Sequence, residues 1–373
     1  MFKKVLTSGL VTLAFLGSAA HAEDQTIGAL FPLSGPNAEY GDIFGSGAGM
    51  AVKHINEDGM LSGTLSLMTE DTQALPAQGV SAMSKLVSVG DVPYTLTSFT
   101  GVSKAIAPIG DERGVVMVNG GGVGPDLATL SEYFWNVIPL ADREMRALVP
   151  YLANERELKR FAIVYVDDPL GESILDVLEE LVPETGGQLV GSHSVATTTQ
   201  QFSGIAATLR SQNPDVIIVA SYGAQQAQLV KQLRDNGVDQ QIASYTAFSI
   251  PSMLNLPEAD GALFTSQAID RESANDVTER FFNDYEAEYG KTPSAYVINY
   301  YNAVRLFGLL AAELEKEGLE ITGPNLLQKR KDMVEFEFVG AQVTFNEDGT
   351  VTAPIEIREI TEGRSNAIAV VAE

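Results

Sequence analysis

Between Val92 and Pro108 the chain reads VPYTLTSFTGVSKAIAP, and at its centre Ser98-Phe99-Thr100-Gly101 gathers residue types that can hold an anion. Val92 to Thr97 is β-prone, whereas Val102, Ala105, Ile106 and Ile109 keep the spacing of one helix face, so the polar knot falls at a strand-to-helix turn. With Thr100 as N-cap, the backbone N–H groups of Gly101, Val102 and Ser103 would lack partners in the first turn. They would point, with the positive end of the helix dipole, beyond the end of the strand. Carboxylates and phosphates bind at helix ends of this kind. Ser98 and Thr100 also suit plain helix capping, and the residues alone leave both readings open. A second strand, Val115 to Val118, ends in Asn119-Gly120-Gly121-Gly122-Val123-Gly124-Pro125. Glycines there serve either positive φ in a loop or the close approach of a ligand to bare backbone.

Other chemistries find little support. Cysteine is absent and histidine occurs three times, with His54 in a helical pattern and His193 in a strand, neither with a spaced acidic or imidazole partner. No catalytic residue, metal site or cofactor is therefore expected, and no nucleophile elbow or phosphate loop is present. Gly45, Gly47 and Gly49 read G-x-G-x-G inside a helical pattern, which suits close helix packing better than a nucleotide fingerprint. Asp167-Asp168-Pro169 follows a strand and precedes a helix, making Asp168 an N-cap with Pro169 at the first helical position. Asn346 to Thr350, NEDGT, is a turn, since the later Glu of a calcium loop is missing.

The elements that position these turns come from the rest of the chain. Met-Phe-Lys-Lys, an apolar run from Val5 to Leu16 and Ala20-His21-Ala22 form a secretory signal peptide over residues 1–22, cleaved after Ala22. No later stretch approaches the ~20 apolar residues of a membrane helix, so an exported, unanchored periplasmic protein is expected. The 49 acidic residues against 24 basic ones give a net charge of −25, and loss of Lys3 and Lys4 deepens it; nucleic acid is disfavoured as a partner. Length suggests two domains. Strands and helices alternate from Thr26 to Asn119 and again from Asp142 to Ser244, which argues two doubly wound α/β lobes. Ligands of such sheets bind beyond the carboxyl ends of the strands. The tail around Asp348-Gly349 alternates with period two, the mark of a β-hairpin.

Taken together, IGALFPLSGPNAEYGDIFGSGAGMAVKHIN, EDTQALPAQGVSAMSKLV, FAIVYVDDPLGESI, TTTQQFSGIAATLRSQNPDVIIVASYGAQQAQLVKQLRDNG and GKTPSAYVINYYNAV resemble landmarks of the periplasmic solute-binding proteins of ABC importers, in the leucine/isoleucine/valine-binding class. The resemblance spans essentially the whole exported chain. It implies a type I fold of two Rossmann-like lobes joined by a three-segment hinge, with residues 23–139 and 266–336 in lobe 1 and residues 140–265 and 337–373 in lobe 2. It implies a non-enzymatic monomer that closes on a small ligand and delivers it to permease subunits; presentation to a membrane sensor is the alternative. Thr100 matches the family position that holds a ligand carboxylate, flanked by Ser98 and Gly101. Gly121 and Gly122 match the backbone groups of the next turn, and Tyr40 and Tyr222 the aromatics that face each other across the cleft. At Val123, Leu170 and Thr246 the chain departs from the amino-acid-binding pattern, and Thr246 stands where a Glu usually meets the ligand ammonium. A buried ammonium without a carboxylate is costly, so a carboxylate or amide lacking the amine competes with an α-amino acid, Asp270 and Glu272 being the nearest acids to reach in.

Overall fold

The computed structural model describes residues 23–273 and 275–371, so the export signal expected at 1–22 lies outside the described residues. The chain opens with β1 (Gln25–Phe31), α1 (Ala38–Glu57), β2 (Leu65–Asp71), α2 (Pro76–Ser88), β3 (Tyr94–Thr97), α3 (Thr100–Arg113), β4 (Val116–Asn119) and β5 (Phe134–Asn136). A second series follows: α4 (Ala141–Pro150), β6 (Arg160–Val166), α5 (Pro169–Glu184), β7 (Gln188–Val195), α6 (Ser203–Gln212), β8 (Val216–Ala220), α7 (Gly223–Asp235), β9 (Gln241–Ser244), the short α8 (Pro251–Leu254) and β10 (Leu263–Gln267). Three helices, α9 (Asp276–Tyr289), α10 (Ala295–Glu317) and α11 (Gly323–Asp332), precede five strands, β11 (Glu335–Phe338), β12 (Ala341–Phe345), β13 (Val351–Thr352), β14 (Ile355–Thr361) and β15 (Arg364–Val371).

The first sheet has the order β2-β1-β3-β4-β5 and is parallel throughout. In the second, β7-β6-β8-β9-β10 repeats that order in parallel, and β14 and β15 extend it antiparallel. Strands buried on both faces read as continuous apolar runs, as in Val216-Ile217-Ile218-Val219-Ala220, every one of which is buried. In each sheet the strand order reverses beside the first strand of the series, between β1 and β3 and between β6 and β8. A doubly wound sheet opens its ligand crevice at such a switch point.

The helices α9 to α11 return to the first sheet, where α10 lies along α1. Gly47 makes this approach possible, because a Cβ there would stand 2.1 Å from the Val297 carbonyl oxygen, whereas Gly45 and Gly49, expected to serve the same packing, face open space. Strands β11, β12 and β13 form a third, separate sheet. Only β14 and β15 of the segment 337–373, expected wholly in the second lobe, pair into the second sheet, while 335–352 pack under the first lobe, where Phe345 and Trp135 both flank Arg330. The turn at Asn346–Gly349 joins β12 to β13, and separate turns at Gly340 and Gly363 make the other two hairpins. One alternating tail therefore holds three pairings.

Candidate functional site

Loops after β1 and β3 of one sheet and after β6 and β8 of the other face a common cavity of about 390 Å3. This is the size range of small-molecule sites. From the first lobe come Tyr40, Phe44, Phe99, Thr100, Gly101, Gly121, Gly122, Val123 and Tyr296; from the second come Asp168, Leu170, Tyr222, Gln225 and Tyr245. Six of these are aromatic, so the walls are largely apolar with a few polar groups set among them.

The anion end is built differently from the expectation. Phe99, not Thr100, is the N-cap of α3, with φ 62° and ψ 128° and no side-chain cap. Such backbone in a non-glycine residue costs on the order of 1–3 kcal/mol and persists only where surrounding contacts enforce it. Here the Phe99 ring is packed against Tyr40 at 5.5 Å and Tyr222 at 5.3 Å, both edge-to-face. Thr100 is the first helical residue. Its hydroxyl oxygen accepts from the Gly124 N–H at 3.1 Å, which leaves the hydroxyl proton free to donate. Ser103 N–H already donates to the Phe99 carbonyl, so the N–H groups heading the helix are those of Thr100, Gly101 and Val102.

Gly121 and Gly122 line the cavity, but both of their N–H groups donate to Asn119 Oδ1, at 3.2 and 2.7 Å. They are not the anion donors that the resemblance implies. A Cβ on Gly122 would stand 3.1 Å from the backbone of Phe99 and Thr100, and one on Gly121 2.8 Å from the Tyr300 hydroxyl. Close packing of the glycine turn onto the α3 turn is what excludes side chains. Ser98 is fully buried beneath the cavity and its hydroxyl donates to the Leu30 carbonyl at 3.2 Å. It does not line the site.

Two expected positions in the second lobe, Leu170 and Tyr222, line the cavity, and Thr246 does not. Thr246 instead donates its N–H, at 2.9 Å, and its hydroxyl to the fully buried Glu144, which also accepts from Thr265 at 2.9 Å. Burial raises the Glu144 carboxyl to about 7 against these three donors. Tyr245, one residue earlier, presents its ring to the cavity while its hydroxyl donates to the Ser221 carbonyl at 2.9 Å. The irregular stretch after β9 gives no sequence pattern that would separate Tyr245 from Thr246.

The acid that reaches the cavity is Asp168, not Asp270 or Glu272. Its Oδ1 caps α5 by accepting from the Leu170 and Gly171 N–H groups at 3.0 Å each, and its Oδ2 accepts from the Tyr222 hydroxyl at 2.5 Å. Burial raises the Asp168 carboxyl above its ordinary range in spite of these donors. Tyr40 and Tyr222 are raised too, again chiefly by burial. Tyr40 Oη is buried without a hydrogen bond of good geometry, its polar neighbours being the Gly223 N–H and Gln226. The lobes also touch directly: the Ser252 N–H donates to Glu39 at 2.9 Å, and Gly223, at φ 61°, lies against the Asn37 side chain. His54 and His193 lie elsewhere, bonded to Tyr301 and Gln212.

Paired doubly wound lobes with both switch points turned onto one cavity define a hinged ligand-binding module. A family model described as periplasmic binding protein matches residues 24–365, and the chain belongs to that family of binding proteins. It is 29% identical over 360 residues to the Leu/Ile/Val-binding protein BraC3 of Rhizobium johnstonii, with 95% of each chain covered. The fold is shared with a branched-chain amino acid transporter substrate-binding protein, LivJ, from Streptococcus pneumoniae in complex with isoleucine (TM-score 0.85, 20% identity, 94% and 100% of the two chains). It is also shared with a solute-binding protein of an ABC transporter from R. palustris in complex with benzoate (TM-score 0.84, 16% identity, 94% and 98%).

Proposed function

We propose that this chain is an extracytoplasmic solute-binding protein that captures a small carboxylate-bearing ligand by lobe closure and delivers it to an ABC permease. The observation that carries this reading is the placement of the α3 N-terminus, with its free Thr100 and Gly101 N–H groups and Thr100 hydroxyl, at the end of an aromatic cavity shared by two lobes. The carboxylate sits at that end and the apolar body lies among Tyr40, Phe99, Tyr222, Tyr245 and Tyr296. The relatives named for branched-chain amino acids and for benzoate share this combination of an acid group and an apolar body.

A second reading within the class, an α-amino acid rather than an organic or aromatic acid, draws support from Asp168. Three of the roughly four acceptor positions of its carboxylate are occupied by protein donors, and one remains for an ammonium. Thermal-shift screening with leucine, isoleucine, valine, 4-methyl-2-oxopentanoate, benzoate and 4-hydroxybenzoate tests the proposal, since a ligand at a hundred times its Kd adds ~2.7 kcal/mol. Stabilisation by at least one carboxylate is expected. No stabilisation by any of these six carboxylates would overturn it.

A further inference from the structure

We infer that a second cavity, separate from the one between the switch points, is a binding site for an organic anion with an apolar body. It has about 440 Å3 and shares no lining residue with the first. Four basic side chains line it, Arg271, Lys291, Arg358 and Arg364, and among the described residues no Asp or Glu does. In a chain with 49 acidic and 24 basic residues, that segregation of sign marks a local field for anions. Arg271 pairs with Glu286 and Arg358 with Glu356 at the rim. Lys291 and Arg364 are exposed and form no ion pair among the described residues, so two positive charges stand uncompensated at the mouth.

The interior supplies the second, independent sign. Ser249 and Gln267, 7% and 4% exposed, line the cavity with Ser249 Oγ and Gln267 Oε1 buried and without a hydrogen-bond partner, and Ser294 Oγ beside them is in the same condition. Buried polar atoms are normally satisfied, and leaving one unpaired costs about 1–3 kcal/mol. Three around one cavity mark a place where a polar group of a ligand is received. Phe264, Phe282 and Tyr285 form the apolar wall. The occupant thus carries a carboxylate or sulfonate toward Lys291 and Arg364, an apolar body against the rings, and a hydroxyl near Ser249 and Gln267, able to donate to the Gln267 amide oxygen. Its walls come from both lobes, β10, α8 and the β14–β15 hairpin on one side and α9 and α10 on the other, so occupancy favours this arrangement of the lobes over others.

The test is a fluorescence titration of the full chain with 8-anilinonaphthalene-1-sulfonate, an aryl sulfonate. Saturable binding at one site is expected, weakened about tenfold or more by Lys291→Glu with Arg364→Glu. The control Lys85→Glu with Lys316→Glu alters net charge equally away from the cavity and leaves the affinity unchanged, as does Thr100→Val at the first cavity. Matching melting temperatures check that the variants are folded, and the single Arg364→Glu serves if the double variant is not. Absence of saturable binding, equal weakening by the control pair, or loss through Thr100→Val would each overturn the inference.

Discussion

The Tyr222 hydroxyl donates to Asp168 Oδ2 over 2.5 Å, linking the turns after β6 and β8 at the wall of the ligand cavity. The bond joins an aromatic that the sequence places at the cleft to an acid it places only at a helix cap. Asp168→Asn keeps a side chain that caps helices as well as Asp does, so α5 should persist. Calorimetry should then show leucine binding weakened by several kcal/mol, with the ammonium left without a buried carboxylate, and 4-methyl-2-oxopentanoate binding changed little. Equal losses for both would confine Asp168 to capping.

Thr100→Val removes both the hydroxyl proton left free to donate and the acceptor of the Gly124 N–H. Binding of whichever carboxylate the screen finds should weaken by about 1–3 kcal/mol. Thr100→Ser keeps the hydroxyl and should recover most of it. Valine and serine variants that bind alike would remove the hydroxyl from the site.

Phe99 combines an unfavourable φ with a ring held between Tyr40 and Tyr222. Phe99→Gly relieves the backbone at no steric cost while deleting both ring contacts, each worth about 0.5–1.5 kcal/mol beyond burial. Stability measured by denaturant should change little, but ligand affinity should drop and scattering should show a more open molecule. An unchanged affinity would mean that the strained residue only shapes the loop.

Glu144 is raised to about 7 in the folded protein from an ordinary 4.5, so the fold binds its proton more tightly than the unfolded chain does. Its contribution is fully present below pH 4.5 and is lost as pH rises toward about 7, a change on the order of 3 kcal/mol. His54, lowered by burial, acts in the opposite sense, stabilising above its ordinary value and losing that as pH falls. The informative quantity is therefore the difference between the wild type and Glu144→Gln, in which His54 cancels. Wild-type stability relative to the variant should decline between these pH values, and a flat difference would show that Glu144 stays ionised.

Ligand closure should compact the molecule and alter tyrosine emission, because Tyr40, Tyr222, Tyr245 and Tyr296 line the cavity. Trp135 is fully buried in β5, its indole N–H donating to the Glu132 carbonyl at 2.9 Å, and does not line the site. Scattering curves that superimpose with and without a stabilising carboxylate would count against closure.

Local sequence determined what local physics decides. Apolar runs such as VIIVA, Asp168 before Pro169 and the glycines beside helical patterns specified strands, caps and turns in an order that argues two doubly wound lobes, strand-end turns marked Thr100, Gly101, Gly121 and Gly122 for the crevice, and the family resemblance added Tyr222. Tertiary structure decided what depends on direction and on distant partners. Ser98 turned inward to Leu30, the glycine N–H groups were taken by Asn119, and Thr246 was drawn to Glu144, 102 residues away. Asp168 reached the cavity because its cap geometry leaves Oδ2 facing Tyr222, and Phe99 took the cap position because rings from both lobes hold it there. A residue's type and spacing fix which hydrogen bonds it can make; which of them it does make is set by neighbours that only the folded chain brings within 3 Å or so.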